Sequence, residues 1–124
     1  MVFQKPGFWR RRYKFMGIII KTKEEIEILR EGGKRLAFVL QKVKEKVAPG
    51  VSTWELDEYA EKLIREMGDY PAFLNYRPEG AETPYPASLC VSVNDEVVHG
   101  IPRKDRILQE GLSLIHISEP TRPY

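Results

Sequence analysis

Two capping boxes constrain this chain more than any other local signal. Thr22 is followed three residues later by Glu25, and Ser52 is followed in the same way by Glu55. At this spacing a hydroxyl and a carboxylate each satisfy a backbone amide that a helix start leaves without a partner. The sequence therefore predicts two helices, one that begins at Thr22 and one that begins at Ser52.

The apolar residues behind each start recur in steps of three and four, as in an amphipathic helix. Pro49-Gly50 stops the first helix at about Ala48, and Gly68 closes the second. The predicted buried stripes are Ile26, Leu29, Gly33, Leu36, Leu40, Val43 and Val47 in the first helix, and Leu56, Ala60, Leu63, Ile64 and Met67 in the second.

A third pattern predicts a hairpin that presents a histidine. Apolar residues alternate from Leu89 to Val93, Asn94-Asp95 can supply a tight turn, and Glu96–His99 would return antiparallel. Gly100 follows, where a missing side chain allows a ligand or another backbone to come close. Two helices before a hairpin indicate an α+β layer in which helices cover one face of an antiparallel sheet. By residue type alone, a lone histidine is more often a structural polar group than a functional one.

Four segments carry a resemblance to a known family: 48–57 (APGVSTWELD), 73–76 (FLNY), 85–90 (YPASLC) and 88–102 (SLCVSVNDEVVHGIP). From about Met16 to Gly111, the chain resembles the amino-terminal half of the catalytic domain of type I methionine aminopeptidases. These metal hydrolases remove the initiator methionine from new proteins. The resemblance implies the amino-terminal half of a pita-bread fold, with two amphipathic helices packed on an antiparallel sheet.

The resemblance also implies roles for individual residues. His99 matches a catalytic histidine that hydrogen-bonds the substrate at the scissile bond and helps to stabilise the tetrahedral intermediate. Tyr76, Tyr85 and Cys90 match residues that line the pocket for the methionine side chain, together with Phe73 at a variable position. Sequence places no base beside Cys90. A thiol that lines a pocket or packs in the core is therefore a more common role for this residue than a nucleophile.

The metal ligands of the family do not have counterparts here. Family members hold two divalent ions (Co, Mn, Fe or Zn) with two Asp, one His and two Glu, all downstream of the segment that contains His99. In this chain no aspartate follows Asp105, and neither His116 nor the later glutamates stand in a matching motif. No HExxH or clustered Cys/His pattern offers an independent zinc site. We therefore expect metal ions in a full-length parent, and a chain that binds none and is inactive.

The two ends differ in character from the body. Residues 1–15 hold five basic residues and no acid, whereas 16–111 carries a net charge of −3. Aromatic residues interleave with these basic ones, as in RNA-binding segments, but Met16 resembles the ordinary start of a bacterial member. We therefore expect 1–15 to be a non-native basic arm, and we assign it no function. Residues 112–124 match a translation of a transposase adapter used in sequencing libraries, with a divergent terminal strand Leu112–Ile117 as the alternative.

These observations converge on a function at the level of the parent. The resemblance implies metal-dependent removal of the N-terminal methionine by a monomeric protein, with N-terminal methionyl peptides and the ribosome near its exit tunnel as partners. No apolar run could span a membrane, and a single cysteine excludes an internal disulfide, so a cytoplasmic location is expected. A proline-specific peptidase relative and a non-catalytic pita-bread binding module are the alternatives.

Overall fold

The computed structural model describes residues 20–117. In chain order it contains α1 (Lys23–Lys46), α2 (Thr53–Glu66), β1 (Cys90–Val93) and β2 (Leu114–Ile117). The predicted basic arm, the proposed start at Met16 and the tail beyond residue 117 lie outside the described part. The α+β class is confirmed, and no helix within residues 20–117 is long and apolar enough to cross a bilayer.

Both helices begin at their predicted capping boxes. The hydroxyl of Thr22 accepts the amide of Glu25 at 3.2 Å, and the Glu25 carboxylate accepts the amide of Thr22 at 2.8 Å. At the second helix the corresponding distances between Ser52 and Glu55 are 3.1 and 2.7 Å. Each box satisfies two amides within a few residues of sequence, which is why these helix starts are encoded locally.

The core lies where the two helices meet the first strand. Leu36, Val39 and Val43 of α1 pack against buried apolar residues of α2 and β1, namely Leu56, Ala60, Ile64, Val91 and Val93. The predicted stripe of the first helix is buried only at Leu36 and Val43, whereas Ile26 and Val47 towards its two ends are 42% and 37% exposed. A helix of 24 residues is about 36 Å long and one of 14 residues only about 21 Å, so α2 cannot cover all of α1.

The sheet pairs β1 with β2 in antiparallel register, from Cys90 opposite Ile117 to Val93 opposite Leu114. The predicted return strand Glu96–His99 is wrong, although the Asn94-Asp95 turn is present. The amide of Val93 that a return strand would have bonded donates instead to the Glu96 carboxylate, at 2.9 Å. The pairing of β2 does not test whether residues 112–124 derive from an adapter, and that origin stays a prediction.

A segment before β2 binds the start of α2. Residues Ser52 and Ile107 form an isolated antiparallel bridge. The amide of Thr53 donates to the carbonyl of Arg106 at 2.9 Å, and the Thr53 hydroxyl accepts the amide of Arg103 at 2.9 Å. These contacts join the beginning of α2 to the chain that follows the His99 region.

Candidate substrate pocket

Backbone hydrogen bonds bring the two predicted pocket tyrosines together. The amide of Tyr85 donates to the carbonyl of Tyr76 at 2.8 Å, and the amide of Asn75 donates to the carbonyl of Tyr85 at 2.9 Å. Asn75 has a φ of +63°, a left-handed conformation that asparagine tolerates well. The segment 77–84 is thereby closed into a loop, and the Tyr76 side chain at its base is 59% exposed.

The ring of Tyr85 links this loop to the first strand. It meets Phe73 edge to face, with ring centroids 6.3 Å apart and an interplanar angle of 80°. Its hydroxyl donates to the carbonyl of Leu89 at 2.9 Å and lies 3.4 Å from the carbonyl of Gly100. Burial raises the pKa of the Tyr85 phenol, with a further contribution from Cys90, so the ring stays neutral in the physiological range.

Cys90 and His99 are in contact. The Sγ atom of Cys90 lies 3.5 Å from Nδ1 of His99, and the direction of this hydrogen bond depends on the imidazole tautomer. Cys90 is buried on β1, whereas His99 is exposed. His99 has a φ of +54°, which is uncommon for a residue with a Cβ and indicates that its surroundings hold it in place.

Gly100 is required for this arrangement because the chain approaches β1 closely at that position. The amide of Val91 donates to the carbonyl of Gly100 at 2.8 Å, and the amide of Gly100 donates to the Ser92 hydroxyl at 3.2 Å. A Cβ added to Gly100 would lie 2.3 Å from the carbonyl oxygen of Val91. The close approach expected at this glycine is therefore one of backbone to backbone.

The structure brings the five predicted site residues into one neighbourhood. Phe73 and Tyr76 reach Tyr85 through a ring contact and backbone bonds, and Cys90 reaches His99 directly. The Tyr85 hydroxyl joins the two groups, since it faces the carbonyls of residues 89 and 100, the neighbours of Cys90 and His99. The substrate roles of these five residues stay predictions.

Sequence reasoning missed Asp57 as a residue of this region. Asp57 lies on α2 and is only 3% exposed. Its Oδ1 accepts the amides of Ser88 at 2.9 Å and Leu89 at 2.7 Å, directly before Cys90. Burial raises the pKa of the Asp57 carboxyl to about 6, although the two amides favour its charged form. The signal that could have revealed it was its position three residues before Ala60, which belongs to the predicted buried stripe of α2.

The described residues do not fit a two-metal centre. Among residues 20–117, no three side chains of His, Cys, Asp or Glu come together in a way that could hold a metal ion. Asp57 is occupied by backbone amides, and the His99 imidazole faces a thiol rather than a carboxylate. We therefore assign no chemical step in this chain to a bound metal.

Comparison with known proteins places the chain in a family. Residues 27–118 match the model of metallopeptidase family M24. The chain is 47% identical over 96 residues to a methionine aminopeptidase of Aquifex aeolicus, covering 77% of this chain and 37% of the relative. It is 43% identical over 94 residues to methionine aminopeptidase 1 of Bacillus subtilis, covering 76% and 35%. The chain thus spans about a third of the length of these relatives.

Solved structures agree with the sequence match. The crystal structure of methionine aminopeptidase from Thermotoga maritima superposes with a TM-score of 0.71 at 36% identity, over 79% of this chain and 37% of that one. The enzyme from Rickettsia prowazekii gives 0.72 at 33% identity, over 79% and 37%. The two helices and the small antiparallel sheet match the amino-terminal part of the pita-bread fold of these proteins. The chain belongs to metallopeptidase family M24.

Proposed function

We propose that this sequence supplies the methionine-binding side of an aminopeptidase that removes the initiator methionine from new proteins. The observation that supports the proposal is that Phe73, Tyr76, Cys90 and His99 gather around Tyr85, through its ring, its backbone and the carbonyls that face its hydroxyl. The relatives that the chain resembles carry the name methionine aminopeptidase. The substrates proposed for the parent are N-terminal methionyl peptides, met in the cytoplasm near the ribosomal exit tunnel.

The chemistry of the neighbourhood suits a thioether side chain. Phe73 and Tyr85 are half-buried aromatic rings, and sulfur makes favourable contacts with ring edges. The Tyr85 hydroxyl is engaged by the carbonyl of Leu89, so the ring presents mainly its apolar body. The Cys90 thiol adds a small polarizable group to the lining of the proposed pocket. A straight, flexible methionine side chain fits such a lining better than a charged or branched one.

His99 is proposed as the group that contacts the scissile bond. Its Nδ1 faces Cys90, which leaves Nε2, on the other side of the ring, for a substrate carbonyl. A hydrogen bond donated there becomes stronger as the carbonyl oxygen gains negative charge in the tetrahedral intermediate. Divalent ions, if bound by other residues of the parent, would supply the Lewis acid for activation of the attacking water. We propose that residues beyond this sequence bind those ions, and that the 124-residue chain alone is inactive.

Binding and turnover are tested separately. To test binding, the amide NMR resonances of the ¹⁵N-labelled chain are followed as Met-Ala-Ser is added, and Ala-Ala-Ser is the control peptide. Shifts at Tyr85, Cys90 and His99 that occur only with the methionyl peptide support the proposed pocket. Equal shifts with both peptides, or shifts confined to other residues, contradict it.

In turnover, the chain is incubated with Met-Ala-Ser and Co²⁺, Mn²⁺, Fe²⁺ or Zn²⁺, and no methionine is expected. Release of methionine would contradict the proposed need for further residues. Sequencing the genomic DNA beyond the Gly111 codon then decides where the ligands lie. A reading frame that continues into two Asp, one His and two Glu in matching positions supports the aminopeptidase, and a genuine stop after Tyr124 favours a binding module.

A further inference from the structure

Leu89 is held at both of its backbone polar groups by side chains, one from Asp57 on α2 and one from the nearby Tyr85. Its amide donates to Oδ1 of Asp57 at 2.7 Å, and its carbonyl accepts the hydroxyl of Tyr85 at 2.9 Å. The Leu89 side chain itself is fully buried. Because its amide, its carbonyl and its side chain are all held, Leu89 has little freedom to rotate about its φ and ψ angles, so the direction of the next residue is fixed too.

That next residue is Cys90, whose Sγ lies against His99. The Tyr85 hydroxyl also approaches the carbonyl of Gly100, directly after His99. A movement of the backbone at Leu89 would therefore disturb the Cys90 thiol and the Tyr85 hydroxyl together. Asp57 is the anchor for this backbone, because it lies on α2, whose start is capped and bound to residues 103–107.

We infer that Asp57 is a positioning residue: its buried carboxylate fixes the Ser88–Leu89 backbone and so sets the relative placement of Cys90, Tyr85 and His99. The inference rests on the proposed function only for the use of the pocket, since the placement is a matter of distances within the chain. Asp57 itself touches none of the proposed substrate contacts except through this backbone.

The charges around Asp57 work against an ionised carboxylate at this position. Burial is the main reason that the pKa of Asp57 is raised to about 6, and repulsion from Glu58 and Glu61 on α2 acts in the same direction. The negative charge of Asp57 in turn raises the pKa of Tyr85. Ionisation at neutral pH therefore lowers stability, and only the two backbone amides favour it. The inference therefore rests on the geometry of the two amide bonds and not on a contribution of the carboxylate to stability.

Cys90 provides a probe of this geometry, because the chain contains one cysteine. The alkylation rate of the intact 124-residue chain by iodoacetamide is compared for wild type, Asp57→Asn and the matched variant Glu66→Gln, which neutralises an exposed carboxylate at the end of the same helix. The Asn side chain keeps the shape but loses the charge that strengthens both amide bonds. We expect alkylation roughly tenfold faster in Asp57→Asn and unchanged in Glu66→Gln.

Two further measurements separate positioning from a general loss of stability. Urea unfolding of each variant gives the rate increase that global opening alone would produce, and the inference requires an increase beyond it. In wild type, the Ser88 and Leu89 amide resonances should titrate with a midpoint near pH 6, and Asp57→Asn should abolish this titration. The wild-type titration remains decisive if the variant fails to fold.

Ser88 and Leu89 amide resonances that stay flat over the whole range from pH 2.5 to 7.5, or an alkylation increase fully explained by global opening, would overturn the inference. Neither result depends on whether Met-Ala-Ser binds. Failure of the positioning role and failure of the proposed pocket are therefore distinguishable.

Discussion

The backbone of Val91 contacts that of Gly100 so closely that no other residue fits at position 100. The Val91 amide lies 2.8 Å from the Gly100 carbonyl, and an added Cβ would lie 2.3 Å from the Val91 carbonyl oxygen and 2.9 Å from the Glu96 carboxylate. The nearest obstacle is backbone within a buried strand, so it cannot move aside as a flexible side chain would.

Gly100→Ala is therefore expected to lower the free energy of unfolding by about 1–3 kcal/mol, as overpacking of a close contact does. Gly32→Ala is the control, because Gly32 lies within α1 with nothing within 4 Å of its added Cβ. Alanine there should raise stability by roughly 0.5–1 kcal/mol. Urea unfolding measures both, and changes of the same sign would contradict the close approach.

Tyr85→Phe tests the hydrogen bond from Tyr85 to the carbonyl of Leu89. The substitution keeps the ring against Phe73 but leaves a part-buried carbonyl without its donor. We expect a loss of about 0.5–1.5 kcal/mol in thermal or urea unfolding. Tyr76→Phe removes an exposed hydroxyl and should change stability by less than about 0.5 kcal/mol. Equal effects would mean that the Tyr85 hydroxyl makes no net contribution.

The raised pKa of Asp57 predicts a specific dependence of stability on pH. Its ordinary value is 3.8, and burial raises it to about 6 in the folded chain. The folded state therefore holds the proton more tightly than the unfolded state does, so the stabilisation from Asp57 is fully present below about pH 4 and is lost as the pH rises through 6. The stability of wild type relative to Asp57→Asn should fall over this window.

The measurement is urea unfolding of both proteins at intervals from pH 4 to pH 7.5, with Glu66→Gln as the matched control. Glu66 is exposed at the end of the same helix, so its variant should run parallel to wild type. A difference between wild type and Asp57→Asn that stays constant across the window would show that the carboxyl titrates alike in both states.

The second capping box should matter more than the first. Ser52 is 5% exposed and begins the helix that carries Asp57, whereas Thr22 is exposed at the start of the uncovered half of α1. Ser52→Ala should lower the free energy of unfolding by about 1–2 kcal/mol, and Thr22→Ala by about 0.5 kcal/mol. Urea unfolding of the two variants provides the comparison. A larger loss for Thr22→Ala would contradict the placement of the core around α2.

The proposed role of His99 predicts a kinetic phenotype in the full-length parent. His99→Ala should lower kcat by roughly 10²–10³-fold with a smaller change in KM, because a donor to the developing oxyanion acts mainly in the transition state. Val97 is 83% exposed and lies two residues before His99, so Val97→Ala should leave both kcat and KM close to their wild-type values. A change confined to KM would assign His99 to ground-state binding instead.

Local chemistry explains which elements could be predicted from the sequence. The helix starts depend on residues three apart, so Thr22 with Glu25 and Ser52 with Glu55 encode them without reference to the rest of the fold. The helices end at Lys46 and Glu66, about two residues before the predicted limits, as is usual for helix termini.

Longer-range contacts account for the rest. The pairing of β1 with Leu114–Ile117 joins segments about twenty residues apart, and no local signal distinguishes it from the predicted hairpin. Asp57 is buried on the same face of α2 as Ala60 and Ile64, at steps of three and four. The two amides that donate to its carboxylate, however, lie some thirty residues away in the sequence. The resemblance predicts five pocket residues, whereas their contacts around Tyr85 depend on the folded chain.

A side chain, rather than a second backbone, completes the hydrogen bonding of β1 next to its turn. The Glu96 carboxylate accepts the amide of Val93 and also an Arg106 guanidinium, at 3.1 Å. The residues after Glu96 are therefore not in a strand, and their side chains do not have to point alternately to opposite faces. Val97 and Val98 are consecutive and both exposed, at 83% and 59%, an orientation that a regular strand would deny to neighbours. Where a paired strand was expected, the Glu96 carboxylate takes the place of its backbone, and Val97 and Val98 form an exposed apolar surface directly before His99.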